Sequence, residues 1–255
     1  MTLVNDGADW GWSAATAYAV GLIATDGCLD GRRPIVSFTS EELDLIEQFK
    51  TAVGRQPRVY RKPGGFGVWT NQVAIHERPL HSWLLSIGLM PRKTFKLSQI
   101  DVPDEHLAPL ARGLLDGDGS ILSYWHAPNR RRYPNHKALR LVTRFYSASR
   151  PHLEWLGKRL DRAFSVRGAI SVDDRATRKH PLYKLEFAKV ASRELLTRIY
   201  ADTSAPHLRR KHDVWRRYVA EESTIVLRRT SRKSPKTSVC RRRESNPHGL
   251  APKGF

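Results

Sequence analysis

The sequence predicts an α+β protein made of two copies of one αββαββα unit. Three observations carry that prediction. A nine-residue pattern occurs twice, Ala19-Val20-Gly21-Leu22-Ile23-Ala24-Thr25-Asp26-Gly27 and Ala111-Arg112-Gly113-Leu114-Leu115-Asp116-Gly117-Asp118-Gly119, which sets Asp26 and Asp118 92 residues apart. Downstream of each copy, the chain alternates between strand-like and helix-like periodicity in the same order. At 255 residues, the chain has room for one substantial core or two small ones without disulfide support.

In the first copy the spacing predicts a helix over residues 14–25, then a short extended pair, 28–29 and 34–39, broken by the turn dipeptide Asp30-Gly31. An acidic helix start at Glu41-Glu42 leads into Leu43, Leu45, Ile46 and Phe49 at helical spacing. Two further extended runs, 58–61 and 66–75, flank Pro63-Gly64-Gly65, and a helix over 80–87 closes the unit. The second copy repeats this order. A helix over 107–117 precedes strand 120–125, a longer basic connection and the alternating strand 138–146. A helix carrying Leu153, Leu156 and Leu160 comes next, then extended runs 169–172 and 182–187 and a helix over 193–200. The expected organisation is a first repeat over residues 1–103, a second over 104–227, and a basic, disordered tail over 228–255 rich in Ser, Pro, Arg and Lys.

Charge narrows the function. The formal net charge is +19; the tail holds nine Lys or Arg and one Glu, so +8 lies there and +11 on the body. A folded body this basic points to a polyanionic partner, with nucleic acid the commonest. Cys28 and Cys240 are the only cysteines, which excludes a disulfide framework or a zinc knuckle and fits a reducing compartment. The longest apolar stretch, 14–24, is too short to span a bilayer, and no basic segment precedes it as in a signal peptide. The expectation is action in the cytoplasm, on the nucleoid if the host is prokaryotic, or in an organellar matrix, with no membrane partner.

Gly113-Leu114-Leu115-Asp116-Gly117-Asp118-Gly119-Ser120 resembles the motif that names the LAGLIDADG homing endonucleases, and Leu89-Met90-Pro91-Arg92-Lys93-Thr94 resembles the segment before the second motif. The resemblance, to the single-chain two-motif type, spans residues 14–220. It implies antiparallel sheets forming a DNA-binding saddle, and a monomer that makes site-specific double-strand breaks in intron homing. By the same resemblance Asp26 and Asp118 are metal-binding catalytic acids, the carbonyls of Thr25 and Gly117 are further ligands, and Lys93 and Lys211 lie near the scissile phosphates. A polar residue on the second strand of each repeat would align near Ser40 and Ala148, so the second half lacks it on this reading. The first acidic position is kept as Asp116 but is Ala24 in the first copy; it is not the position that usually carries catalysis.

Elementary physics points the same way. Ala17 and Gly21, like Gly113 and Gly117, lie four apart, so each helix shows a stripe of small residues that lets two backbones approach. If the helices pack in parallel, Asp26 and Asp118 meet at the negative ends of two helix dipoles. Oxygen-only ligands there select a hard divalent ion, Mg²⁺ or Mn²⁺, with Ca²⁺ able to occupy the site without supporting cleavage.

DNA contacts are expected from the sheets and their loops. Along 139–146, Leu139, Leu141, Thr143 and Phe145 share one face, and Arg140, Val142, Arg144 and Tyr146 the other. We assign the first face to the helices and the second to DNA, together with Lys184 and the outward series Arg58, Tyr60, Lys62. The loops contribute Arg32 and Arg33 in the first half and Arg130, Arg131, Arg132 and Lys137 in the second. Loops this unequal suggest a long, non-palindromic double-stranded target. The competing reading is a non-cutting relative on the same fold, either an RNA-splicing maturase or a DNA-binding regulator.

Overall fold

A computed structural model describes residues 10–127, 132, 137–173, 180–202 and 204–231. The described residues up to Val219 form one compact unit, and those from Ala220 onward form a second. The first repeat runs α1 (Ala14–Asp26), β1 (Gly27–Leu29), β2 (Ile35–Ser40), α2 (Leu43–Val53), β3 (Tyr60–Pro63), β4 (Trp69–His76) and α3 (Arg78–Ser86). The second runs α4 (Leu107–Asp116), β5 (Ser120–His126), β6 (Ala138–Ser147), α5 (Arg150–Phe164), β7 (Ala169–Val172), β8 (Tyr183–Phe187) and α6 (Lys189–Ile199). Each repeat is therefore αββαββα, as the periodicity predicts. Each also builds an antiparallel four-stranded sheet of the same topology, β1-β2-β4-β3 and β5-β6-β8-β7.

The central contact is α1 against α4. Helix α1 starts at Ser13, whose hydroxyl accepts the Thr16 amide at 3.1 Å while Thr16 Oγ1 accepts the Ser13 amide at 2.8 Å, a reciprocal cap. Every residue from Ala17 to Ala24 is buried, so this helix is apolar all round because it is enclosed, which explains the long apolar stretch. Among the described residues no helix is long and apolar enough to cross a membrane.

Small residues set how closely the two helices approach. A Cβ on Gly113 would lie 2.2 Å from the Tyr18 carbonyl oxygen, and one on Gly21 would lie 2.4 Å from that of Leu110. A Cβ on Gly117 would meet the Thr25 side chain and, at 3.0 Å, the Asp26 carboxylate. At Gly21 and Gly113 backbone meets backbone, and only glycine fits.

The sheets cover this pair with alternating faces. On β6, Leu139, Leu141, Thr143 and Phe145 are buried, whereas Arg140 is exposed and Val142, Arg144 and Tyr146 are half-buried, as the alternation predicts. Val36 and Phe38 of β2, Val73 and Ile75 of β4, and Leu185 and Phe187 of β8 complete the inward faces.

One element goes beyond the sequence prediction. Helix α7 spans Arg209–Ser231, so residues 228–231, expected in a disordered tail, are helical. Its portion in the first unit buries Trp215 and Tyr218, stacked at 5.8 Å. In the second unit the helix continues from Ala220, whose carbonyl accepts the Thr224 hydroxyl at 3.0 Å. The remainder of the expected tail, residues 232–255, lies outside the described residues.

Candidate active site

Parallel packing of α1 and α4 brings their C-terminal ends together. Asp26 closes α1 and Asp118 lies just beyond α4, and the charge of Asp118 helps raise the pKa of Asp26. Both carboxyls sit above their ordinary values, first because the protein packed around them desolvates the ionised form; for Asp26 the neighbouring carboxylate adds to this. Two exposed acids at two negative helix ends make a strongly negative point in an otherwise basic protein.

Lys93 and Lys211 flank this point symmetrically. Lys93 Nζ donates to the carbonyls of Thr25 (3.2 Å) and Gly27 (2.6 Å). Lys211 Nζ donates to those of Leu115 (2.7 Å), Asp116 (2.8 Å) and Gly117 (3.0 Å). Each ammonium thus satisfies the last carbonyls of one central helix, where a cation is favoured by the helix dipole. Both lysines are buried, and burial pulls their pKa values down, that of Lys211 to about 8. The Thr25 and Gly117 carbonyls, expected as metal ligands, therefore already accept a lysine hydrogen bond, with one lone pair of each remaining.

Asp116 has a separate task. It is fully buried and accepts hydrogen bonds from Tyr18 Oη (3.0 Å), Tyr200 Oη (3.3 Å) and the Leu208 amide (2.7 Å). Burial raises its pKa to about 6 despite these bonds and the nearby charges of Lys211 and Arg112. Arg112, also buried, donates to the carbonyls of Ile199 (2.6 Å) and Pro206 (3.2 Å). This network ties α1, α6 and the approach to α7 onto the end of α4. Ala24 has no carboxylate with which to form a counterpart.

The polar residue on the second strand is placed differently from the sequence expectation. The residues following the two motif glycines, Cys28 and Ser120, pair with Ser37 and Arg144, so the registers match Ser40 with Ser147, not with Ala148. Both hydroxyls do the same thing: Ser40 Oγ accepts the Glu42 amide at 3.1 Å, and Ser147 Oγ accepts the Ser149 amide at 3.0 Å. The second half keeps its hydroxyl, and the offset arose because the two β-hairpins have connections of unequal length.

The expected DNA contacts fall into three groups. Arg140, Arg144 and Lys184 share the outer face of the second sheet, where Glu186 binds Arg144 at 2.6 Å and approaches Lys184 at 3.7 Å. On the first sheet, Tyr60 and Lys62 pair with Gln72 and Thr70 of β4, while Arg58 precedes the strand and places its guanidinium 5.4 Å from the Tyr60 ring centre. In the turns Arg32 and Arg33 are exposed, and Arg33 is held by Asp30 at 3.0 Å. Arg132 and Lys137 are exposed, whereas Arg130 and Arg131 lie outside the described residues. Strand alternation also puts Gln72 and Tyr124 on these outer faces, and carrying the period-2 rule across every strand would have found them.

Among the described residues no cluster of three or more His, Cys, Asp or Glu side chains is arranged to hold a metal. The donor set still fits a hard divalent cation. Two exposed carboxylates with a carbonyl beside each supply oxygen ligands only, and the remaining positions suit water and phosphate oxygens.

No family model and no curated protein matches the sequence. Solved structures do match the fold. The homing endonuclease I-WcaI bound to its DNA recognition sequence is 14% identical with a TM-score of 0.53, over 79% of this chain and 86% of that one. I-DmoI in complex with DNA and Ca is 16% identical with a TM-score of 0.50, over 80% of this chain and 97% of that one. The chain has the fold of the single-chain LAGLIDADG homing endonucleases.

Proposed function

We propose that this protein is a site-specific endonuclease that hydrolyses both strands of a DNA duplex at the paired ends of α1 and α4, with a divalent metal ion. The observation that carries this reading is the meeting of Asp26 and Asp118, one from each repeat, as solvent-exposed acids at two negative helix ends. A purely structural pair would pack better as neutral side chains. The two structural neighbours, one described as bound to its DNA recognition sequence and the other as in complex with DNA and Ca, support the same reading. Both acids lie in one compact unit of one chain, so a monomer suffices.

A bound ion would activate water and stabilise the leaving oxygen of the phosphodiester. The chain's own groups do the rest. Asp26 and Asp118 hold the ion, with the Thr25 and Gly117 carbonyls as further ligands. Lys93 and Lys211 neutralise the helix ends and fix the loops that carry the acids. Arg140, Arg144, Lys184, Lys62 and the exposed turn arginines attract the phosphate backbone and orient the duplex.

The test is cleavage by the full chain of the uninterrupted host locus, or of duplexes selected from a randomised library. Mg²⁺ or Mn²⁺ should support double-strand breaks, and Ca²⁺ or chelator should not. Affinity should fall by roughly 10³–10⁵-fold between 50 and 200 mM salt if six to ten phosphates are contacted. A duplex bound specifically yet left intact in every divalent ion would overturn the enzymatic reading in favour of a non-cutting regulator.

Ion binding should also be visible in stability. The raised carboxyls take up protons as pH falls toward their folded pKa values, and a protonated carboxyl cannot hold a cation. Millimolar Ca²⁺ is therefore expected to raise the melting temperature more at pH 8 than at pH 5.5, as measured by scanning calorimetry. An ion effect independent of pH would contradict ligation by these acids.

A further inference from the structure

A cavity of about 150 Å³ lies beside Asp118. Its polar lining comes from Thr25, Lys93, Thr94, Asp118, Ser147 and His152, and its apolar lining from α4, β6 and α5. His152 is the unusual member. It is 4% exposed, and its ring stacks on Trp155 at 5.3 Å. Its Nδ1 lies 2.9 Å from the Ser98 carbonyl, which can only accept, so Nδ1 carries the proton. The ring is held neutral, with its pKa pushed down to about 4 by burial. Nε2 is then a bare lone pair, buried, with no hydrogen-bond partner in the protein. Orphaned buried acceptors are rare because they cost their full desolvation penalty.

The repeat shows that this histidine is not required by the packing. The strand registers that match Ser40 with Ser147 also match Leu45 with His152. Leu45 is buried on α2 just as His152 is on α5. The flanking equivalents are apolar and buried in both helices: Ile46 with Leu153, Phe49 with Leu156, Val53 with Leu160. Only this position exchanges a hydrocarbon for a polar acceptor, and it does so at a cavity that reaches Asp118 in one repeat.

We propose that the cavity is a built hydration site, and that His152 is a positioning residue whose Nε2 orders water against the Asp118 side of the cleavage centre. The volume holds several waters, and the Thr25, Thr94 and Ser147 hydroxyls supply the two to four polar partners that a buried water needs. The neutral ring accepts a hydrogen bond and takes no proton from the reaction. With leucine at the matching position of the other repeat, the two strands are cut with unequal support. Scission beside this cavity depends on His152, and scission on the other strand does not.

The kinetic part rests on the endonuclease reading, whereas the hydration part does not, so two measurements are needed. A high-resolution crystal structure of the full chain should show water within hydrogen-bond distance of His152 Nε2; a dry cavity overturns the proposal. In plasmid cleavage, His152→Leu, which copies the first repeat, should slow one strand by roughly tenfold and accumulate nicked circles, with DNA affinity unchanged. His152→Gln, which keeps an acceptor, should recover much of that loss. Wild-type strand ratios in His152→Leu overturn the positioning role. If His152→Leu fails to fold, the strand ratio of His152→Gln and the crystal decide. A wild type that cuts no DNA removes the endonuclease reading and the positioning role together, and the crystal alone then decides hydration.

Discussion

Asp26→Asn and Asp118→Asn should each lower double-strand cleavage by at least about a thousandfold, the equivalent of ~4 kcal/mol of transition-state stabilisation. Asparagine keeps the shape and one oxygen of each side chain but removes the charge that a divalent ion requires. DNA affinity should remain, because Lys and Arg contacts to phosphate supply most of it, and deleting a negative charge near the duplex does not weaken them. The measurement pairs a gel-shift titration with timed cleavage of end-labelled duplex for each single variant. Either variant breaking both strands at the wild-type rate would refute the assignment. Loss of binding in parallel with cleavage would mean that the acids hold the fold and not the reaction.

Gly113→Ala should produce the largest loss of stability of any single added methyl group in the chain. Its Cβ would sit 2.2 Å from the Tyr18 carbonyl oxygen, a backbone atom that cannot rotate away, so α1 and α4 would have to separate. Overpacking of this kind costs about 1–3 kcal/mol where side chains can adjust, and here the upper end or more applies. For a chain of this size, 3 kcal/mol corresponds to a fall in melting temperature of roughly 6–12 °C. Gly21→Ala, 2.4 Å from the Leu110 carbonyl, should behave alike, whereas Gly65→Ala, with nothing within 4 Å, should change little. Cleavage should fall with stability in the two helix variants, because separating the helices also separates Asp26 from Asp118. Unchanged thermal unfolding of Gly113→Ala would show that the helices do not meet there.

Much of this was legible in the sequence, because repetition doubles every signal. A single Asp-Gly is a turn dipeptide, but two aspartates 92 residues apart with the same downstream order specify both the αββαββα unit and its central helix pair. Strand faces were readable where one face is buried, as along β6. The features that escaped are long-range or sparse in pattern. The long helix α7 is rich in arginine and buries few large apolar side chains, so helical periodicity is weak there. Partners of Asp116 lie up to 98 residues away at Tyr18, and no local spacing predicts them. The lysines were found by position, but their bonds to the helix-end carbonyls depend on chain ends that meet only in three dimensions. The match of Ser40 with Ser147 depends on hairpin register, which unequal loops conceal.

The most direct test of the paired-acid centre is anomalous scattering from Mn²⁺ in crystals of the full chain bound to its DNA target. A manganese peak is expected about 2.0–2.2 Å from carboxylate oxygens of both Asp26 and Asp118, with scissile phosphate oxygens completing the ligand set. Manganese bound elsewhere, with Asp26 and Asp118 uncoordinated against an intact duplex, would contradict a metal centre built on these two acids.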